Sequence, residues 1–83
     1  MQKQILVVAM VKRTEALRMA AGLTLLDDAV NVAVCGQLGP EAEEHLEALD
    51  FADVPVEHLT VDTAAGMSAL ASRIATADAV YLI

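Results

Sequence analysis

Four apolar runs punctuate this chain, and each is separated from the next by a segment with helical spacing. Residues 4–10 and Ala29–Cys35 are apolar except for Gln4 and Asn31, and such nearly continuous runs predict strands that are covered on both faces of a parallel sheet. Residues 56–61 alternate moderately and predict a weaker strand, and residues 78–83 predict a final one. The order of elements is therefore predicted to be βαβαβαβ.

The segment between the first two strands has the spacing of an amphipathic helix. Thr14 is predicted to cap this helix, and Asp27-Asp28 to end it. Gly22 in its middle is unfavourable for helix formation, and we expect it to allow the close approach of another backbone, for example across a subunit interface. The apolar face is wide, which favours a helix buried on two sides, and it comprises Ala16, Met19, Ala20, Leu23 and Leu26, widened by Leu17, Ala21 and Leu25.

Two further helices are predicted from similar signals. Pro40 suits the first position of the second helix, and the acidic residues that follow it complement the positive end of the helix dipole. A turn over Asp53-Val54-Pro55 precedes the third strand, and Asp62 or Thr63 is predicted to cap the third helix. The apolar positions of these helices are Ala42, His45, Leu46 and Leu49, and then Met67, Leu70, Ala71 and Ile74.

This alternation predicts the α/β class, with a mostly parallel sheet between two layers of helices in a three-layer α/β/α arrangement. The 83 residues make one domain, with no linker, repeat or low-complexity segment. The composition is 57% hydrophobic, which exceeds what a small core can hide. We therefore expect a subunit interface in addition to the core.

The net charge of −7 argues against nonspecific binding to nucleic acid and to anionic lipid surfaces, because both need a cationic surface. No apolar run is long enough for a membrane span, and no signal-peptide cleavage site follows the first run. Cys35 is the only cysteine, so no disulfide forms within the chain and no cysteine-based zinc site is expected. These features predict a cytoplasmic protein.

Three stretches carry a family resemblance: EALRMAAGLTLLDDAVNVAV, FADVPVEHL and SALASRIATADAVYLI. They resemble the DsrE-like proteins (DsrE, DsrF and DsrH) of bacterial sulfur-relay systems. The resemblance implies a flavodoxin-like three-layer fold and homo- or hetero-oligomers, with other small sulfur-relay subunits as partners. It also implies a persulfide-carrying cysteine near the end of the third strand, but residues 56–63 contain no thiol.

Cys35 is the first candidate site residue, because it ends the second strand, and ligands of parallel sheets bind outside the carboxyl ends of the strands. A thiol there could be activated by a nearby cation or helix N-terminus. The alternative is that Cys35 is a small buried hydrophobic residue. Because no complete catalytic or cofactor motif is present, we expect no cofactor and lean against an enzyme.

Lys12, Arg13 and Thr14 open the first helix and form the second candidate, a site for an anion such as phosphate, sulfate or thiosulfate. If the first two strands are neighbours, this loop shares one rim with Cys35. The alternative is that these residues are solvated loop charges. His45 and His58 match no recognised metal-site spacing, so no metal site is predicted.

Three functional hypotheses follow. The leading one is a noncatalytic DsrE-like binding or assembly subunit of an oligomer in sulfur metabolism. The second is a persulfide carrier in which Cys35 replaces the family cysteine. The third is an anion- or nucleotide-binding regulatory domain that uses Lys12 and Arg13 at the N-terminus of the first helix.

Overall fold

A computed structural model describes residues 3–26 and 28–83. Within them the elements alternate as the sequence predicts. In chain order they are β1 (Gln4–Ala9), α1 (Arg13–Leu23), β2 (Ala29–Cys35), a short 3₁₀ turn (Pro40–Ala42), α2 (Glu43–Phe51), β3 (Val56–Leu59), α3 (Ala64–Thr76) and β4 (Ala79–Leu82).

The four strands form one sheet in the order β3-β2-β1-β4, and every pair is parallel. β1 pairs with β2 from Gln4↔Ala29 to Ala9↔Val34, which places the two strands side by side over the full length of β1. The chain adds β2 and then β3 on one side of β1, and it then crosses back to add β4 on the other side of β1. Because crossovers are right-handed, the helix of this last connection, α3, lies on the face of the sheet opposite to α1 and α2. This arrangement confirms the predicted three-layer α/β/α fold and supplies the strand order.

Alternate side chains of the central strands enter two separate cores. On one face Ile5, Val7 and Ala9 pack with α1 and α2, through residues such as Leu17 and Leu49. On the other face Leu6, Val8, Ala33 and Cys35 pack against Leu70 of α3. The continuous apolarity of β1 and β2 is thereby explained, because both faces of these strands are covered.

Two aspartates hold the amino edge of β1. The backbone N–H of Lys3 donates to Oδ1 of Asp28 at 3.1 Å, and that of Gln4 donates to Oδ2 of Asp78 at 2.7 Å. Each aspartate precedes a strand that neighbours β1. An aspartate just before a neighbouring strand thus accepts a backbone N–H at the start of β1 that would otherwise lack a hydrogen-bond partner in the sheet.

The start of α1 differs from the prediction. The helix begins at Arg13, its N-cap is Lys12 without a capping side chain, and Ala16 N–H donates to Lys12 O at 3.0 Å. Thr14 therefore lies inside the first turn instead of capping it, and its hydroxyl donates to Oε1 of Glu41 at 3.5 Å. The reason is tertiary, because the Arg13 side chain is anchored on the loop after β2.

The end of α1 also comes earlier than predicted. Thr24 N–H and hydroxyl both donate to the carbonyl oxygen of Ala21, and Leu25 and Leu26 continue with i to i−3 bonds that tighten the last turn. Leu25 and Leu26 consequently leave the apolar face and are 88% and 57% exposed. The part of the predicted stop that falls on Asp27 lies outside the described residues.

Other boundaries agree more closely. Pro40 opens the 3₁₀ turn that leads into α2, and Thr63 is the N-cap of α3, accepting the N–H of Gly66 at 3.0 Å. Asp53 adopts a left-handed conformation with φ 58° in the predicted turn. β3 stops at Leu59, two residues before the predicted end, so it is the short strand that its weak pattern suggested.

Gly22 has open space around it, since a Cβ placed there would meet nothing within 4 Å. The expected close approach of another backbone is therefore absent among the described residues of this chain. No helix in residues 3–26 and 28–83 combines the length and the apolarity needed to cross a membrane.

Candidate functional site

The carboxyl ends of β1 and β2 meet at one edge of the sheet, because the strands are parallel neighbours. β1 leads into the N-terminus of α1, and β2 ends at Cys35. The shared rim that was expected for Arg13 and Cys35 is therefore present. Ligand sites in parallel α/β sheets lie at this edge.

Arg13 closes this rim through backbone contacts. Its Nε donates to the carbonyl oxygen of Cys35 at 2.7 Å, and its Nη1 approaches the carbonyl oxygen of Gln37 at 3.4 Å. The guanidinium lies where a Cβ on Gly36 would stand, and Gly36 has a φ of 111°, so both space and conformation favour glycine there. Arg13 is thus engaged in holding the loop after β2.

The Cys35 thiol faces the α3 side of the sheet and is buried. The residue is only 2% exposed and packs in the same core as Val8 and Leu70. Burial raises the thiol pKa, and the positive charge of Arg13 opposes this rise but does not cancel it. In this conformation Cys35 has the environment of a structural cysteine, and reaction at its sulfur requires an opening of the rim.

The predicted anion-binding residues point to different partners. Lys12 is exposed and Arg13 is held by two carbonyl oxygens, whereas Thr14 contacts the carboxylate of Glu41. The Glu41 side chain also folds back against Gly39. A carboxylate of the chain itself therefore stands beside the start of α1, which reduces the attraction of that position for an external anion.

The two histidines are not on the face of the sheet that carries the Cys35 thiol. His58 is opposite Val34 in the β2–β3 register, so its side chain is on the sheet face opposite to that of Cys35. His45 lies on α2, and α2 packs on the other core. Among the described residues no group of three or more histidine, cysteine and acidic side chains is placed to hold a metal ion.

Some residues of the carboxyl edge were not singled out from the sequence. A hollow of about 410 Å³ there is lined by Cys35, Gly36 and Gln37 from β2, by the segment from His58 to Asp62 after β3, and by Arg13. The signal that finds the additional residues is positional, since they lie at or just after the carboxyl end of β2 or β3. The hollow gives little access to the Cys35 thiol, because Cys35 is nearly fully buried.

Another hollow lies at the opposite, amino edge, between α3 and the sheet. Its floor includes Leu6 and Ala33, which are almost completely buried, so it does not penetrate the core. At the wall of this hollow, the Glu57 carboxylate accepts two hydrogen bonds from the Arg73 guanidinium, at 2.7 and 3.1 Å. This ion pair leaves the hollow without an unpaired charge among its described lining residues.

A distinct apolar surface lies beside α3. Leu70 is buried, and Met67 and Ile74, three residues before and four after it, lie on one flank of the helix. Arg73 lies on the other flank, where it pairs with Glu57 of β3. Met67 and Ile74 therefore lie on the flank that faces β1 and β4.

Strand β4 continues this surface. Val80 and Leu82 are opposite Leu6 and Val8 in the register, so they face the α3 side of the sheet. They are 38% and 65% exposed, although a parallel strand is normally covered on both faces. The α3–β4 surface is defined here by Met67, Ile74, Val80 and Leu82, and it contains no charged side chain.

Comparison of the chain with protein-family models, with curated proteins and with solved structures found no match. The DsrE-like resemblance therefore stays a prediction that rests on the sequence stretches quoted above.

Proposed function

We propose that this chain is a small assembly subunit that acts through a protein interface and has no chemistry of its own. The observation that carries the proposal is the α3–β4 surface, whose four large apolar side chains are all partly exposed on the α3 side of the sheet. Contiguous apolar patches on small proteins mark interaction sites more often than isolated apolar residues do.

The distribution of charge supports the same surface. Five of the twelve acidic residues fall between Glu41 and Asp50, on the 3₁₀ turn and α2. α3 carries only Arg73, which is neutralised by Glu57. Two strongly acidic proteins repel each other least where they approach through uncharged surfaces, so the α3–β4 surface is the favourable side for association.

The buried thiol is the complementary observation. A persulfide carrier has to present its sulfur to a donor and an acceptor, whereas Cys35 is packed against α3 with a raised thiol pKa. The sequence also lacks a thiol at residues 56–63, where the resembling family has one. Both features favour binding over sulfur transfer.

The resemblance to sulfur-relay proteins gives the proposed setting. The partners would be a second copy of this chain or related small subunits, in the cytoplasm of a cell with sulfur metabolism. A reducing compartment is compatible with a single buried cysteine that has no partner for an intramolecular disulfide.

The mass in solution tests the proposal. Sedimentation equilibrium over a hundredfold range of concentration is expected to give a mass above 8.7 kDa that falls on dilution. Ile74→Glu places a charge on the α3–β4 surface and should weaken association at least tenfold. Leu25→Glu is the matched control, because Leu25 is more exposed but lies at the end of α1.

A monomer at all concentrations, both alone and mixed with candidate sulfur-relay subunits, would contradict the proposal. An equal effect of Ile74→Glu and Leu25→Glu would show that association, if present, does not use this surface.

A persulfide carrier is the second candidate, favoured by the position of Cys35 at the carboxyl edge with a guanidinium beside its carbonyl group. Intact-mass spectrometry after exposure to polysulfide tests it, with Cys35→Ser as the control. A reductant-reversible gain of sulfur on the folded wild type would support the carrier. A gain seen only after denaturation would exclude it.

A further inference from the structure

Two carboxamide side chains interrupt the otherwise apolar central strands, and both lie on the α3 side of the sheet. Asn31 of β2 is opposite Leu6 of β1, which packs in the core under α3. Gln4 is two residues before Leu6 and therefore faces the same side. Asn31 is partly buried and Gln4 is exposed, so the amino half of this face is polar where the carboxyl half is apolar.

Both carboxamides line the hollow at the amino edge, which has a volume of about 530 Å³. The space stays open because two of its other lining residues, Ala33 of the sheet and Ala77 after α3, have small side chains. Sites for small molecules commonly measure about 300 to 1,000 Å³. The hollow is therefore large enough for a molecule of the size of a nucleoside.

The other polar side chains of this hollow are already engaged. The Glu57 carboxylate is held by the Arg73 guanidinium, and the Thr76 hydroxyl donates to carbonyl oxygens of its own helix. Among the described lining residues, these bonds leave out Gln4 and Asn31. The two carboxamides consequently keep donors and acceptors for another molecule, each offering an N–H₂ group and a carbonyl oxygen.

The charges around the hollow favour an uncharged ligand. Arg73 is the single cation among the described lining residues, and it is paired with Glu57. An ionised ligand would lose hydration there without gaining an unpaired counter-charge. The net charge of −7 also repels phosphate groups, which favours a base or a nucleoside over a nucleotide.

We propose that this hollow binds an uncharged nucleobase, with adenine as the best match. A carboxamide presents a donor and an acceptor side by side, and adenine offers the complementary pair at its N6 and N7 atoms. The flat ring lies on the apolar floor formed by Leu6 and Ala33, where Asn31 reaches its edge. The hollow shares no residue with the α3–β4 surface, so this site does not depend on the assembly function.

Isothermal titration calorimetry with adenosine as the probe tests the site. Adenosine is expected to bind saturably, with a dissociation constant below about 1 mM. The analogue 7-deazaadenosine lacks the N7 acceptor and should bind at least about tenfold more weakly, because an amide donor would be left unpaired. Adenosine 5′-monophosphate should bind no more tightly than adenosine, since its phosphate finds no free cation.

Substitutions of Asn31 locate the site and separate binding from folding. Asn31→Val should weaken adenosine binding at least about tenfold and leave the thermal stability unchanged or higher, because valine is favoured in strands and asparagine is not. Asn31→Asp keeps the size of the side chain, removes the amide donor and should weaken binding similarly. Gln37→Leu is the matched control, since Gln37 is an exposed carboxamide at the opposite edge of the sheet.

Each result bears on a separate part of the proposal. The absence of saturable adenosine binding by the wild type would overturn the site. Equal binding of 7-deazaadenosine would overturn recognition through N6 and N7, and tighter binding of adenosine 5′-monophosphate would overturn the uncharged class of ligand. Equal losses from Asn31→Val and Gln37→Leu would show that adenosine binds elsewhere. None of these measurements depends on the mass of the protein in solution.

Discussion

The guanidinium of Arg13 donates to the backbone carbonyl of Cys35 at 2.7 Å and thereby joins the start of α1 to the end of β2. These two residues were the strongest candidates for chemistry in the sequence. Their contact runs through the main chain of Cys35, while its thiol is turned toward α3 and buried. The arrangement is that of a structural clamp at the carboxyl edge of the sheet.

Arg13→Ala is expected to lower the free energy of unfolding by about 1–2 kcal/mol, because it removes a charge-assisted hydrogen bond that is partly buried. Urea unfolding followed by circular dichroism measures this change. Arg18→Ala is the control, since Arg18 pairs only with exposed Glu15 within the same helix and should cost much less. Equal costs for the two variants would contradict the clamp.

Gly36→Ala should also destabilise the fold, by more than about 1 kcal/mol, because φ is 111° and the added Cβ would meet the Arg13 guanidinium. A double-mutant cycle separates the two causes. In an Arg13→Ala background the steric part disappears and the conformational part persists, so the cost of Gly36→Ala should fall without reaching zero. An unchanged cost would show that the guanidinium does not restrict Gly36.

The Cys35 thiol should titrate above the ordinary thiol pKa of about 8.5 and react slowly in the folded protein. Because the pKa is raised on folding, the unfolded chain releases its proton first as the pH increases. The stability contributed by the neutral thiol is thus fully present below about pH 8.5 and is lost as the pH rises through the folded pKa.

Iodoacetamide labelling followed by mass spectrometry checks this behaviour between pH 7 and pH 10. Labelling should be much slower in buffer than in 6 M urea at every pH in this range. Fast labelling of the folded protein near pH 7, with a midpoint below that of the unfolded chain, would instead identify an activated thiol.

Thr63→Ala should cost about 1 kcal/mol, since the Thr63 hydroxyl accepts the N–H of Gly66 at 3.0 Å and donates to the carbonyl oxygen of Thr60. Thr76→Ala is the comparison at the other end of α3, where the hydroxyl donates only to carbonyl groups of the same helix. Thermal unfolding of both variants should rank Thr63→Ala as the less stable. The reverse order would contradict the capping role.

Much of the fold could be predicted from local pattern. β2 coincides with its apolar run, and Thr63 caps α3 as expected. The predicted ends of α1 differ from the observed ones because of two contacts, one tertiary and one local. Arg13 reaches across to the β2 loop at one end, and the Thr24 side chain tightens the last turn at the other.

The candidate site was predictable only in outline. Parallel strands that are neighbours in the sheet bring their carboxyl ends together, so the sequence predicts Cys35 near Arg13 only on the condition that β1 and β2 pair. The structure supplies that pairing. The direction of the thiol depends on which face of β2 residue 35 occupies. That face is decided by the packing of α3 over Leu6, Val8 and Ala33.

By itself the sequence determined the alternation of strands and helices and the parallel, doubly covered centre of the sheet, because hydrophobic periodicity records local burial. Only the tertiary structure decided the strand order, the burial of the thiol and the position of β4 at an edge. These depend on contacts between residues far apart in the chain, such as Arg13 with Cys35 and β1 with β4, which no local pattern encodes.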